Sequence, residues 1–566
     1  MSAITADDVW VTPSLIEGYL NQTMSDGIPG YESGLTNSTE EGYSLDVSVV
    51  NNTVGVDNGI GQGIDKWHYT TIRKINRFLE NVDLCPVDKL SDATKNDYKA
   101  QMLALRAYLY FEMVRTYGGV PLTLATLSPE EDDLKLPRAK TSECIDAIVK
   151  DLNDAIAIED FPLTRPEAQA GRINKAAAIA LKARVLLYYA SPQFSHETPA
   201  GTRSAEQRWS EAYSACLAAK DQLAAAGYGL YAPEPANAQE AIDNFYKLFI
   251  TDECNREIIW VRRYLPFVAP YDGVAGGRPS LELVYSFPNA DGTPFDASEI
   301  PPGSAGPQIE MQESTNPYWL NREPRFYANI AYNGCIFPQQ RKSQGLVAED
   351  VVDNKMQHLW TLHTTTDPGV SNKSYDAVVA FGAIKHTDKN VNTSGDPNAG
   401  NLTNSSGVDV PLIRYAEVLL NYAEAAAMTG KSAEALSVLK DIRKRAGIPA
   451  GASGNYGITA TDGKPLIAAI LHERNLELCF EGFRFWDVRR WRQYTDDVVP
   501  GAPTIREGKK INGLIRHNLA IRNKSEQDDI ALFKSLVNYN SLTDTDGSTY
   551  FANFKNEILA NEQQSF

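Results

Sequence analysis

Apolar residues recur at helical spacing along most of this chain, and the breaks between those stretches fall at glycines and prolines. A short helix is expected near residues 13–24. Residues 67–82 place Ile72, Ile75 and Leu79 on one face. Residues 96–117 do the same with Met102, Leu105, Leu109 and Met113, and Gly118, Gly119 and Pro121 stop the run. Residues 141–158 and 174–189 form a pair, the second rich in small residues (Ala176, Ala177, Ala178, Ala180, Ala183) that permit close helix approach. Residues 205–226 are alanine-rich and end at Gly227. Residues 412–428 and 432–446 form a hairpin turning at Gly430. Helix pairs joined by short turns predict a mainly α architecture of tetratricopeptide type.

One stretch near the C-terminal end, residues 472–491 (HERNLELCFEGFRFWDVRRW), combines a helix, a glycine stop at Gly482 and a cluster of rings and guanidinium groups. Leu471, Leu476, Leu478, Cys479 and Phe480 supply its apolar positions. Glu473, Glu477 and Glu481 stand four apart and form a column on one face. Two readings of that column compete. Paired carboxylates could serve as the acid and nucleophile of a glycoside hydrolase. Alternatively the column is a charged seam clamped by Arg474, Arg484, Arg489 and Arg490. The second is favoured because structural ion pairs are commoner than catalytic dyads.

Residues 228–410 break the helical pattern. They are loop-rich, with short strand-like runs at 257–262 (EIIWVR) and 377–381 (AVVAF), and they are dense in aromatic residues. The expected division is a single unit over 1–566. It has an irregular N-terminal segment (1–64), a helical scaffold (65–227 and 411–491), a variable binding insertion (228–410) and a C-terminal segment (492–566). A scaffold interrupted by an irregular aromatic region predicts that the scaffold supports and the insertion recognises. The candidate ligand contacts are Tyr271, Tyr318, Trp319 and Trp360 as stacking rings, with Asn316 and Arg325 as polar partners. Trp67, at the head of a helix with an apolar face, is expected in the core.

Composition narrows the chemistry. The chain has 566 residues and a formal net charge of -18, and no basic patch stands out, which argues against a nucleic-acid partner. Tyrosines outnumber phenylalanines, 27 to 19, which points toward binding surfaces. Six cysteines occur without any CxxC pair, so a zinc ribbon is unsupported. Cys144, Cys216 and Cys479 fall in apolar helical patterns and are expected buried, with disulfide pairing left open. The glycine-rich run at 55–63 lacks a GxGxxG, and no HExxH, P-loop or GxSxG occurs. The acidic run at 130–133 lacks the glycine and glutamate of a calcium loop. No cofactor and no metal are expected. No apolar run approaches the ~20 residues of a membrane span, and the chain opens polar at Ser2.

Four segments together resemble the SusD/RagB family of outer-membrane nutrient-binding lipoproteins: residues 103–122 (LALRAYLYFEMVRTYGGVPL), 173–190 (INKAAAIALKARVLLYYA), 411–426 (PLIRYAEVLLNYAEAA) and the 472–491 stretch. The early ITADDVW is similar to the family's mature start. Near the end only NEILAN, residues 556–561, is similar to the family's usual C-terminal motif. The resemblance implies a surface-exposed lipoprotein of a Gram-negative outer membrane, with about four tetratricopeptide-like helix pairs and a variable binding half. It also implies a non-catalytic role: capturing oligosaccharide or polysaccharide, less often peptide, and delivering it to a TonB-dependent (SusC-like) receptor. The family's lipid-bearing cysteine and secretory signal are absent from this sequence, so the expectation is a chain trimmed of its anchor. A peptide- or protein-binding uptake module on the same scaffold is the alternative.

Overall fold

The computed structural model describes residues 6–29, 39, 41–42, 67–128, 135–194, 203–250, 256–263, 279–296, 319–332, 335–338, 356–359, 381–386 and 409–492. Among them are fourteen α-helices and six short strands. Helices α1 (Ala6–Val11), α2 (Pro13–Gly27) and α3 (Tyr69–Asn81) lead into α4 (Asp92–Tyr117) and α5 (Thr141–Ala157). Next come α6 (Lys175–Ala190), α7 (Ala205–Ala225) and α8 (Ala238–Lys247). The C-terminal group is α11 (Tyr415–Met428), α12 (Ser432–Arg445), α13 (Gly463–Glu477) and α14 (Phe483–Arg490).

Local chemistry sets several of these boundaries. Ser91 caps α4 by accepting from the Thr94 amide, Asn174 caps α6 through the Ala177 amide, and Ser204 forms a capping box with Gln207 at α7. Helix α4 packs on α5, α6 on α7, α11 on α12, and α13 on α14; the α11–α12 hairpin is the pair read from the sequence, whereas α5 and α6, expected as a pair, also touch but each packs more extensively on its other neighbour. The run of small residues along α6 is buried, as close helix approach requires. Buried ion pairs fasten neighbours together. Arg106 reaches both oxygens of Asp151 (2.7 and 2.8 Å) and Asn76 Oδ1 (2.8 Å), joining α3, α4 and α5. Arg184 on α6 donates to Glu417 on α11 at 2.6 Å.

The insertion is built differently. Strand β1 (Ile258–Arg262) pairs antiparallel with β6 (Val410–Arg414), so the insertion begins and returns along the same two-stranded ribbon. Residues 412–414, expected to open the first turn of α11, are extended because they complete that ribbon. Strands β2 (Ile330–Ala331) and β5 (Gly382–Ala383) pair, as do β3 (Cys335–Pro338) and β4 (Met356–Leu359). Short helices α9 (Leu281–Ser286) and α10 (Pro324–Asn329) are additions that periodicity could not show at six residues each. The expected strand at 377–381 lies outside the described residues apart from Phe381. A second apolar core joins the insertion (Leu283, Phe287, Trp319, Phe326, Ile330, Phe381) to the end of α13 (Leu476, Cys479, Phe480). Cys85, Cys144, Cys216, Cys335 and Cys479 are buried, and no disulfide joins any two of them.

Candidate functional site

The glutamate column is the most charged part of the interior. Glu473, Glu477 and Glu481 have no solvent exposure to speak of, and each is met by cations from other elements. Arg325 of α10 contacts Glu473 (2.7 Å), Glu477 (3.0 Å) and Glu323 (2.9 Å). Arg414 of β6 reaches Glu477 (2.7 Å), Glu481 (2.8 Å) and Glu257 (2.7 Å). From α12, Arg443 takes Glu473 at 2.8 Å, and Arg445 takes Glu257 at 3.1 Å and also Glu477. Lys385 takes Glu481 at 2.7 Å.

Burial alone would push the Glu477 carboxyl up. Arg445, Arg414 and Arg325 override it and hold the group well below the usual carboxylate range. Glu473 and Glu481 are held down the same way, against burial, by Arg325 with Arg443 and by Arg414 with Lys385. Carboxylates so enclosed offer no raised general acid and no opening for a sugar ring. The column is a seam, as favoured above, but its partners differ from those expected. Arg474 and Arg490, both fully buried, serve Asp487 and Glu424 instead. The helix also stops a turn before Gly482. Phe480 (φ 60°) and Gly482 (φ 78°) are both left-handed in the link to α14.

An open aromatic surface lies elsewhere. Trp67 is 53% exposed. Its ring lies parallel to Tyr117, with centroids 4.3 Å apart and planes 11° apart, and next to Tyr69 at 5.9 Å and 20°. The stack is fixed from beneath. Tyr117 is the last residue of α4 and Tyr69 the first of α3. The Tyr69 hydroxyl donates to the Pro121 carbonyl at 2.9 Å, and burial keeps that phenol protonated. Arg138 donates to the carbonyls of Tyr117 and Gly119. At Gly119 an added Cβ would stand 2.0 Å from the Ala139 carbonyl oxygen, so only glycine lets the two passing segments meet. A half-exposed ring held by neighbouring rings is what an apolar sugar face stacks on, because little ordering cost remains at binding.

Comparison with known proteins places the chain. A family model described as the SusD family matches residues 261–556, more than half of the sequence. The chain belongs to the SusD family. A second model, described as starch-binding and associating with the outer membrane, matches residues 32–187. SusD-like protein P38 of Formosa agariphila is 24% identical over 447 residues, covering 76% of this chain and 72% of the relative. Among solved structures, a SusD-like protein from Bacteroides fragilis aligns with a TM-score of 0.64 at 25% identity, covering 86% and 88% of the two chains. Surface glycan-binding protein A from Bacteroides uniformis shares the fold, with a TM-score of 0.55 at 18% identity over 87% and 91%.

Within this SusD-family chain two of the six expected contacts lie in the interior. Trp319 is 2% exposed and packs in the second core against Tyr332 (5.8 Å) and Phe381 (6.2 Å). Arg325 is fully buried in the seam. Both are corrections: aromatic density in the insertion reflects, in part, the need to build a core of its own on α13. Tyr271, Asn316, Tyr318 and Trp360 lie outside the described residues. Trp67 is the converse correction. Helix α3 begins two residues after it, so its ring falls off the apolar stripe. The Gly118–Gly119 break after Tyr117 was the available signal. Among the described residues there is no group of three or more metal-ligating side chains, and no helix is long and apolar enough to cross a membrane.

Proposed function

We propose that the protein is a cell-surface glycan-binding protein that captures oligosaccharide or polysaccharide at the outer membrane and passes it to a partner TonB-dependent (SusC-like) transporter, without catalysing a reaction itself. A lipid anchor holds it to the membrane in this reading. The observation that carries the proposal is the exposed, rigidly backed ring of Trp67, within the residues 32–187 that match a family model described as starch-binding. Tyr271, Asn316, Tyr318 and Trp360 remain the proposed contacts from the insertion.

Isothermal titration against a panel of neutral oligosaccharides tests this. Trp67→Ala is expected to weaken binding about tenfold or more, since a stacked Trp contributes on the order of 1.4 kcal/mol or above. Its melting temperature should stay within a degree or two, because the ring is half in solvent. Unchanged affinity would remove Trp67 from the site. Binding of short peptides with no sugar bound would favour a peptide-uptake module instead.

A further inference from the structure

A cavity of about 230 Å³ opens between residues 164–174, the turn after α7 and strand β1. Among the described residues its charged lining consists of Arg165, Arg172 and Arg256, and no carboxylate lines it. In a chain of net charge -18 this wall of one sign stands out. The three guanidinium groups are not equivalent. Arg165 is committed to Asp97 at 2.6 Å and to the Ile173 carbonyl at 2.8 Å. Arg172 donates to Glu17 at 2.6 Å and Asn21 at 2.8 Å, and rests over the Tyr98 ring. Arg256 makes no ion pair among the described residues. Its guanidinium is seated over Gly229 instead, where an added Cβ would lie 2.2 Å from Nη2. The absent side chain at Gly229 leaves room for the guanidinium, and Arg256 itself is exposed to solvent. Arg256 also borders a wider cleft, but there Glu234 already takes Lys444 and Glu434 takes two tyrosine hydroxyls.

A guanidinium presents paired donors that match a carboxylate or sulfate. The volume is below the roughly 300–1,000 Å³ of sites that enclose a whole ligand, so it suits one charged unit. Arg165 pairs with Asp97 near the start of α4, while Trp67 stacks on its last residue. At 1.5 Å rise per residue, the two places are about 30 Å apart. We propose that this cavity is an anion site for a carboxylate or sulfate group, carried by an acidic sugar unit of the bound glycan. The sugar half of that statement rests on the glycan reading above.

The test titrates the full chain at low salt with three probes: a uronic-acid oligosaccharide, its carboxyl-reduced neutral counterpart, and inorganic sulfate. The expected result is at least a tenfold preference for the acidic oligosaccharide. Arg256→Gln should abolish the preference, and so should Gly229→Ala, which keeps the charge but displaces the guanidinium. Melting curves report whether each variant is folded. Equal affinity for the oligosaccharide pair, or a preference that survives in folded Arg256→Gln, overturns the inference; if neutral binding still depends on Trp67, the glycan reading stands alone. Saturable sulfate binding lost in Arg256→Gln, with no oligosaccharide bound, overturns the sugar-borne group and the glycan reading together.

Discussion

Arg325 is the residue on which the interior charges turn. It serves three carboxylates, Glu323, Glu473 and Glu477, at full burial. Removing one partner from a buried ion pair leaves an uncompensated charge, which costs about 3–5 kcal/mol. Arg325→Ala should therefore lower the urea-unfolding free energy by about that amount. A loss under 1 kcal/mol would mean that the seam is wetter than its burial implies. The role expected for Arg325 from sequence was ligand contact. What misled is physical: an arginine among aromatic residues reads the same whether its acids lie in a ligand or some 150 positions along the chain, at Glu473 and Glu477. The same holds for Trp319, whose neighbours Tyr332 and Phe381 come from turns and strands too short to show a period.

Most elements longer than about three turns were legible, because their burial repeats every 3.6 residues and their caps are local; α13 is the exception, beginning at Gly463, nine residues before the expected start at 472, and ending at Glu477. Helices α4 and α7 begin or end within a few residues of expectation for that reason. Strand β6 was not, because its conformation is imposed by β1, roughly 150 residues earlier. The link from α4 to α5 gives a test at this scale. There the Ala139 amide donates to the Val120 carbonyl at 3.1 Å, directly beside Gly119. Gly119→Ala forces these two segments apart, and a loss of about 1–3 kcal/mol is expected, as for overpacking elsewhere. Because Arg138 and Tyr117 share that link, the variant should also weaken oligosaccharide binding while leaving the Trp67 side chain present. A variant of native stability and affinity would show that the link has slack.

For the whole molecule the seam sets the response to acid. The carboxyl groups of Glu473, Glu477, Glu481 and Asp487 are buried or nearly so, and each is held below its ordinary value, 4.5 for Glu and 3.8 for Asp, by cations that outweigh burial. In the unfolded chain they protonate first, so their stabilisation is complete above those values and is lost as pH falls through the lower folded ones. Glu323 has the opposite sign, since burial raises it above 4.5 despite Arg325, and its contribution shrinks as pH rises past 4.5. The four lowered carboxyls of the seam outweigh the one raised, and His386, which burial pushes down to about 3, adds an earlier loss because only the unfolded imidazole takes up its proton near pH 6.5; the urea midpoint should be level above about pH 7, decline below about 6.5 and fall more steeply below about 4.5. A midpoint constant down to pH 3 would contradict the assignment. The insertion is also tied into the scaffold by charge. Arg325 and Lys385 of the insertion are built into the same ionic interior as α12 and α13.

Glu477 binds Arg325, Arg414 and Arg445, all of which precede it in the chain. During synthesis those three cations are made before the carboxylate that neutralises them inside the fold. The earlier helix pairs can form as they emerge, but the insertion has nothing to close upon until the last hundred or so positions arrive. Folding is thus completed late, by contacts far apart in sequence, which is slow and leaves apolar surface open meanwhile. A nascent chain halted before α13 would be a substrate for chaperones and proteases, not a smaller working protein.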